Sequence, residues 1–435
     1  GYTVGAFALG GLVGSLATMY FNVWFGRRMN IIISCCWFIF GGILSACAVN
    51  IGMYSVGRAL VGFGSGMAGS SVAIYVSEIS TKSSRGALGS VFEFFLNLGI
   101  LLTQVAGRYM KDAGVWRMLW GIPTIIAAIQ LLLMVFFNVE CPRRLCADGK
   151  TEQAREAMQR LRKGADITYE FQNLLDARQR EVESNMKKMS ILDIILVKDR
   201  HITWNTIIVM MLQAYNQVGG IGPLSVYAVG FLASVFNNDY ELASNISLAN
   251  ATGKIVATLI CVITLQKVGR RPYMLISTMG MTISCIFIVI GSVLGDHLGP
   301  LVITGALLFT FTYAMGCGTI PWLIAPEMLP LHALPPGSAL GCASNWLFNF
   351  LINTLWPQQH ENLGNYSFTV FAAINFVGFV FFYLFQPETG HRDLDQKHGG
   401  EKEDDVETPG TAGSSNSLSD TDPKSEKVQH IEEAK

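Results

Sequence analysis

Charge is scarce in this sequence. Asp, Glu, Lys and Arg make up 14% of its 435 residues, against 51% apolar residues, and the formal net charge is -1. Soluble domains carry about a quarter of their residues charged, so an ordinary soluble globular protein is excluded. With no basic excess and no Lys/Arg stripe, nucleic acid is excluded as a partner. The nine cysteines include Cys35, Cys36, Cys47, Cys261, Cys285 and Cys342 inside apolar segments. They lack metal-ligand spacing and read as packing residues, with neither a disulfide framework nor a metal site expected. The sequence also lacks a nucleophile and base pair, a phosphate loop and a metal cluster at working spacing, so neither an enzyme nor a cofactor is expected.

Long apolar runs are what the chain has instead. Runs of about 20 residues or more, enough to cross a bilayer, occur near 2–25, 30–49, 53–76, 87–106, 116–139, 204–232, 246–266, 273–294, 298–325, 337–355 and 366–385. The chain opens on Gly1 already inside the first run, so a segment upstream is expected to be missing. Basic residues cluster in alternate loops: Arg27, Arg28, Lys82, Arg85, Lys267, Arg270, Arg271 and the stretch 143–200. The positive-inside rule puts that side in the cytoplasm, together with the central loop and the C-terminus. Gly26-Arg27-Arg28 recurs as Gly269-Arg270-Arg271, and Glu78 with Arg85-Gly86 has a counterpart in Glu327 with Gly337-Ser338 at nearly the same offset. Such a repeat means duplicated bundles with a substrate site between them near the midplane.

Two stretches break the rules of a membrane helix. Residues 316–330 (GCGTIPWLIAPEMLP) and 337–350 (GSALGCASNWLFNF) place glycines, prolines, Glu327, Trp322, Trp346, Asn345 and Asn349 in or beside apolar runs. Polar and helix-breaking residues at membrane depth line a cavity far more often than they face lipid. The spacing of Asn345 and Asn349 puts both amides on one helix face.

These stretches closely resemble the region between helices ten and eleven of the sugar porters, a family of the major facilitator superfamily. Gly26-Arg27-Arg28, Glu78 with Arg85-Gly86, Cys141-Pro142-Arg143 and Pro387-Glu-Thr-Gly390 resemble further motifs of that family. The resemblance implies an all-α membrane protein with the major facilitator fold. Two pseudo-symmetric helical bundles, with eleven of twelve spans present, would flank a cytoplasmic helical loop domain. The implied divisions are 1–139, 140–203, 204–390 and a disordered tail at 391–435. The implied function is alternating-access carriage of a sugar, a hexose first of all; another polyol, a disaccharide, an organic acid or a sugar-sensing role on the same fold stay open. The partners implied are a small-molecule sugar and the lipid bilayer, with protons left open, and the plasma membrane is the default location.

By the same resemblance Asn216, Gln217, Asn345 and Glu93 bind hydroxyls, Trp322 covers a sugar face, and Trp346 and Asn349 line the wall of the eleventh helix. Amides suit sugars because one side chain both donates and accepts. Arg27, Arg28, Glu78, Arg85, Arg270, Arg271 and Glu327 would form the cytoplasmic gate, and Gly219 and Gly220 would let the helix bend outside the site. Several positions depart from the family pattern. Val23 and Gln266 stand where it has an acid or amide, which predicts a looser clamp. Gly222 replaces an Asn and removes one expected hydroxyl ligand. Glu93 stands where a Gln is usual, and could bind hydroxyls, carry a proton or pair with a cation. Lys254, one turn into its run where an Asn is usual, could pair with Glu93, attract an acidic solute or snorkel to the interface. Arg58 could snorkel to the interface or make an internal ion pair, and the family's recurring Gly-Arg pair at this point implies the ion pair.

Overall fold

Inside a bilayer every backbone N–H and C=O has to be satisfied within the protein, so apolar runs of this length cross as helices. A computed structural model describes residues 2–81, 84–110, 115, 117–183, 189–294, 298–330 and 332–389, with the backbone alone at 2, 85–87, 90, 180–183 and 266. The expected tail at 391–435 and the side chain of Arg85 lie outside the described residues. The first part of the chain supplies α1 (Tyr2–Trp24), α2 (Gly26–Ala46), α3 (Ile51–Ile79), α4 (Arg85–Tyr109) and α5 (Met118–Phe136). Four short helices follow: α6 (Pro142–Ala147), α7 (Thr151–Leu161), α8 (Thr168–Glu183) and α9 (Ile191–Ile195). The second part supplies α10 (Arg200–Val218), α11 (Ile221–Val226), α12 (Ala228–Val235), α13 (Tyr240–Val268), α14 (Arg270–Leu294), α15 (Gly299–Met315), α16 (Ile320–Met328), α17 (Leu334–Leu363) and α18 (Ser367–Phe385).

Among the described residues nine stretches are long and apolar enough to cross a membrane. The last, Leu334–Phe385, contains both α17 and α18, and α10 to α12 are not among the nine. Counting α17 and α18 separately and adding the broken α10–α12 recovers the eleven runs of the sequence. Two of those runs are not continuous helices. The 204–232 run ends α10 at Gly219 and restarts beyond Gly220, whose φ of +102° a side chain would strain. The 298–325 run breaks at residues 316–319, between α15 and α16.

Within the first part α3 packs against both α1 and α2, and α2 against α5; in the second, α14 packs against α15 and α18, and α10 against α17. The broadest contacts joining the parts are α1 on α17 and α4 on α13, and α3 and α4 also touch α16, with α3 on α17 as well. Small residues bring α1 and α3 together: a β-carbon at Gly62 or Gly66 would run into the backbone carbonyls of Phe7 and Gly11. Arg58 lies 4.5 Å from the ring centre of Phe7 and 4.9 Å from that of Trp120. Among the described residues aromatic faces, and no carboxylate, meet this cation.

Asp239 caps α13, accepting from the N–H groups of Glu241 and Leu242 at 3.1 and 3.0 Å. Because the helix starts at Tyr240, Lys254 sits about 20 Å along it and well past the first turn. Lys254 is 7% exposed and its Nζ lies 4.0 Å from Glu93, which is not a snorkelling geometry.

Candidate functional site

Two prolines create the polar centre. In a helix the carbonyl of residue i accepts from the N–H of i+4, and proline has none. Pro321 thus orphans the carbonyl of Cys317, and the Asn216 side-chain amide donates to it at 2.6 Å. Pro223 orphans the carbonyl of Gly219, and Asn375 donates to it at 3.0 Å. The same device closes both helix breaks.

Around Asn216 the amides of α10 and α17 bond to one another. Gln217 donates to the Oδ1 atoms of Asn216 and Asn345 at 2.8 and 3.2 Å. Asn345 donates to the Gln213 and Asn216 side chains, both at 3.0 Å, and Asn349 donates to Gln217 at 3.0 Å. Gln213 in turn donates to the carbonyl of Pro321 at 2.9 Å. Gln213 escaped the sequence reading, although it lies one turn before Asn216 and Gln217 on the same face. A β-carbon at Gly222 would stand 2.6 Å from Oδ1 of Asn353. Asn353 of α17 thus occupies the space that a side chain at Gly222 would need.

Glu93 and Lys254 also come together. Nζ of Lys254 is 4.0 Å from Oε1 of Glu93 and 5.0 Å from the ring centre of Tyr313. Asn97 donates to Glu93 and to Thr258, both at 3.1 Å. The pair adjoins the amide cluster through the break between α15 and α16. Gly318 faces the Glu93 carboxylate there, while its neighbour Cys317 takes the Asn216 bond.

The two tryptophans lie where the two parts of the chain meet. Trp346 packs edge-on against Phe7 at 5.2 Å and covers Gly11 of α1. Trp322 packs on Phe92 at 5.3 Å and faces Gly69. The cleft between Trp322, Phe92 and Glu327 has about 20 Å³, room for one water.

At the Arg-rich end one arrangement occurs twice. Arg27 meets Glu78 at 3.0 Å and Arg270 meets Glu327 at 2.8 Å, all four side chains buried. In each copy a second carboxylate caps the helix that starts with the motif. Glu140 accepts from the backbone N–H groups of Arg27 and Arg28 at 3.1 and 3.2 Å; Glu388 accepts from those of Arg270 and Arg271 at 2.9 and 3.0 Å. Gly26 and Gly269 precede them at φ +85° and +94°, conformations that glycine adopts freely. Arg28 reaches the carbonyls of Met134 and Val135, at the end of α5, and Arg271 that of Tyr383, at the end of α18. Val23 carries no anion here, the Gln266 side chain lies outside the described residues, and Glu140 and Glu388 supply an anion at each turn. The sequence reading missed both, though Glu140 directly precedes the Cys141-Pro142-Arg143 motif and Glu388 lies inside Pro387-Glu-Thr-Gly390.

Under this end lies a cavity of about 390 Å³ lined by Arg27, Glu78, Arg143, Arg144, Arg178 and His332, among others. The short helices tie to it: Arg144 donates to the carbonyl of Val23 at 2.7 Å, and Arg162 to that of Ile79 at 3.0 Å.

Comparison with known proteins gives this arrangement a family. Residues 1–398 match the model described as sugar (and other) transporter. The chain is 30% identical over 405 residues to the dog (Canis lupus familiaris) solute carrier family 2, facilitated glucose transporter member 3, covering 91% of this chain and 80% of that protein. It is 29% identical over 399 residues to the facilitated trehalose transporter Tret1 of Culex quinquefasciatus, covering 90% and 75%. The fold superimposes on the proton:xylose symporter XylE bound to 6-bromo-6-deoxy-D-glucose with a TM-score of 0.79 at 21% identity, covering 91% of this chain and 87% of that one. Against the inward open conformation of XylE from E. coli the TM-score is 0.69, also at 21% identity, covering 91% and 87%. The chain belongs to the sugar (and other) transporter family and has the major facilitator fold.

Proposed function

We propose that the protein carries a sugar, a hexose or a disaccharide, across a membrane by alternating access. One observation carries this reading: the side-chain amides of Gln213, Asn216 and Asn345, buried, and of Gln217 and Asn349, half-buried, hydrogen-bond to one another across α10 and α17. Each amide both donates and accepts, so an entering hydroxyl exchanges with an existing amide–amide bond instead of leaving a group unpaired. Such an exchange is close to neutral in free energy. That suits a carrier, which has to release what it binds.

In this reading Gln217, Asn345 and Asn349 present the hydroxyl-binding face, and Asn216 positions Gln217 while holding the orphaned Cys317 carbonyl. Glu93 borders the site, Trp346 supports its α17 wall, and Trp322 closes it towards the Arg-rich end. That end is cytoplasmic by the positive-inside rule, in the plasma membrane. The bundles 1–139 and 204–390 rock along the α1–α17 and α4–α13 contacts. The ion pairs Arg27–Glu78 and Arg270–Glu327 hold the cytoplasmic side shut, and the break at Gly219–Gly220 bends on the other side.

The test is uptake of labelled D-glucose, D-xylose and trehalose by the full-length protein in liposomes, with and without a pH gradient. Saturable uptake of one of these, competed by its unlabelled form, is expected. Accumulation driven by the gradient assigns proton coupling, whereas equilibration alone assigns passive carriage. Absence of saturable uptake for all three overturns the reading.

A further inference from the structure

The α4–α13 contact carries two polar stripes at membrane depth. Glu93, Asn97 and Gln104 lie along one face of α4, and Asn250, Lys254 and Thr258 recur every fourth residue on α13. Packing alone does not call for these residues, because burying a polar group costs free energy unless it is paired. Among the described residues the stripes are incompletely paired. Lys254 is 7% exposed, and its three N–H donors have one anion nearby, the Glu93 oxygen at 4.0 Å, which is beyond hydrogen-bond distance. Nδ2 of Asn250, one turn before Lys254, is buried without an acceptor, and Asn250 is itself 3% exposed. An ammonium and an amide N–H borne by residues one helical turn apart on one face therefore both look for acceptor oxygens.

On the strength of the carrier reading above, we propose that Lys254 and Asn250 form a subsite for the carboxylate of a sugar acid, such as a uronate. Its two oxygens match two donors in need of acceptors. A charge-assisted bond from the ammonium also gives selectivity that neutral hydroxyls cannot match. The resemblance to the sugar porters implies Asn and Gln where this chain has Lys254 and Glu93, so two neutral groups have become a cation and its counter-ion. The counter-ion neutralises Lys254 while the site is empty. An entering carboxylate takes its place, and the neutral ring of the sugar meets the amides beyond Tyr313. Glu93 thus competes with the substrate, and removing its charge favours the acid over the neutral sugar.

The experiment measures the ratio of D-glucuronate to D-glucose uptake by the full-length protein in liposomes at one pH. The wild type takes up glucuronate saturably. Lys254→Asn lowers the glucuronate-to-glucose ratio at least tenfold, Lys254→Arg holds it within about threefold, and Glu93→Gln raises it. Folding of each variant is checked by monodisperse elution in detergent, and the Arg variant keeps the test decisive should the Asn variant misfold. Glucose uptake without glucuronate uptake overturns this inference and leaves the carrier reading standing. Uptake of neither sugar overturns the inference, and the carrier reading falls with it only if xylose and trehalose uptake are absent too. A ratio unchanged by Lys254→Asn, or preference for the cationic sugar glucosamine over glucuronate, also overturns the inference.

Discussion

Breaking the first copy of the Arg-rich clamp gives a perturbation whose size can be worked from the structure. Glu78 is 2% exposed at its side chain and meets Arg27 at 3.0 Å. Replacing Arg27 by Met leaves that carboxylate buried without its counter-ion. The cost of such a loss is about 3–5 kcal/mol, or roughly two to three and a half powers of ten in the closed-to-open ratio. Glu140→Gln does less, since the amide oxygen still accepts one of the two backbone N–H bonds and only the charge is lost, at about 1–2 kcal/mol. A native reporter lies beside both residues. Cys141 is fully buried, and burial first, then the charge of Glu78, pushes its thiol well above the ordinary range. The closed form therefore stays protonated and unreactive as pH rises through about 8.5, where a free thiol ionises. Alkylation of Cys141 by a hydrophilic maleimide, read by peptide mass spectrometry, follows the open population. Arg27→Met raises the rate at least tenfold more than Glu140→Gln, and Glu140→Gln raises it about tenfold over wild type. Wild-type labelling rates in both variants, or a larger effect from Glu140→Gln, would refute the clamp.

Three further outcomes are expected. Pro321→Ala supplies the N–H that the Cys317 carbonyl lacks, so Asn216→Ala costs about 1 kcal/mol less in that background, measured as a double-mutant cycle of thermal stability in detergent; additive costs contradict the orphaned-carbonyl account. Gly222→Asn crowds Asn353 and lowers sugar uptake at least fivefold, and adding Asn353→Gly restores it, whereas failure of the rescue sinks the space-filling argument. Gly66→Val drives a side chain into the Gly11 carbonyl and separates α1 from α3. It costs well over 2 kcal/mol by overpacking and abolishes monodisperse folded protein on gel filtration.

Much of this was legible in the chain and some was not, for physical reasons that differ residue by residue. The amides of α17 announced themselves because Asn345 and Asn349 share a helical face in an apolar run. The duplicated Gly-Arg-Arg turns did so because they recur with their carboxylates at matching offsets. The capping role of Glu140 and Glu388 was hidden, since each lies more than a hundred residues from the N–H groups it holds and nothing in either local segment shows that approach. Asn353 was missed for a similar reason: it fills the space beside Gly222 from another helix. Position along a run proved a poor guide for Lys254, because α13 extends past its apolar stretch to the Asp239 cap. Arg58 misled because a carboxylate is the usual partner of a membrane arginine, and two aromatic faces serve instead. The orphaned carbonyls could have been foreseen, since Pro223 and Pro321 each mark one four residues back.

The central claim is that Gln217 and Asn345 bind the transported sugar, and the measurement that bears on it most directly is the KM for uptake in liposomes of wild type, Gln217→Ala and Asn345→Ala. Each substitution raises KM at least tenfold for every sugar the wild type carries, with the folded fraction unchanged. Wild-type KM values in both variants would contradict the claim.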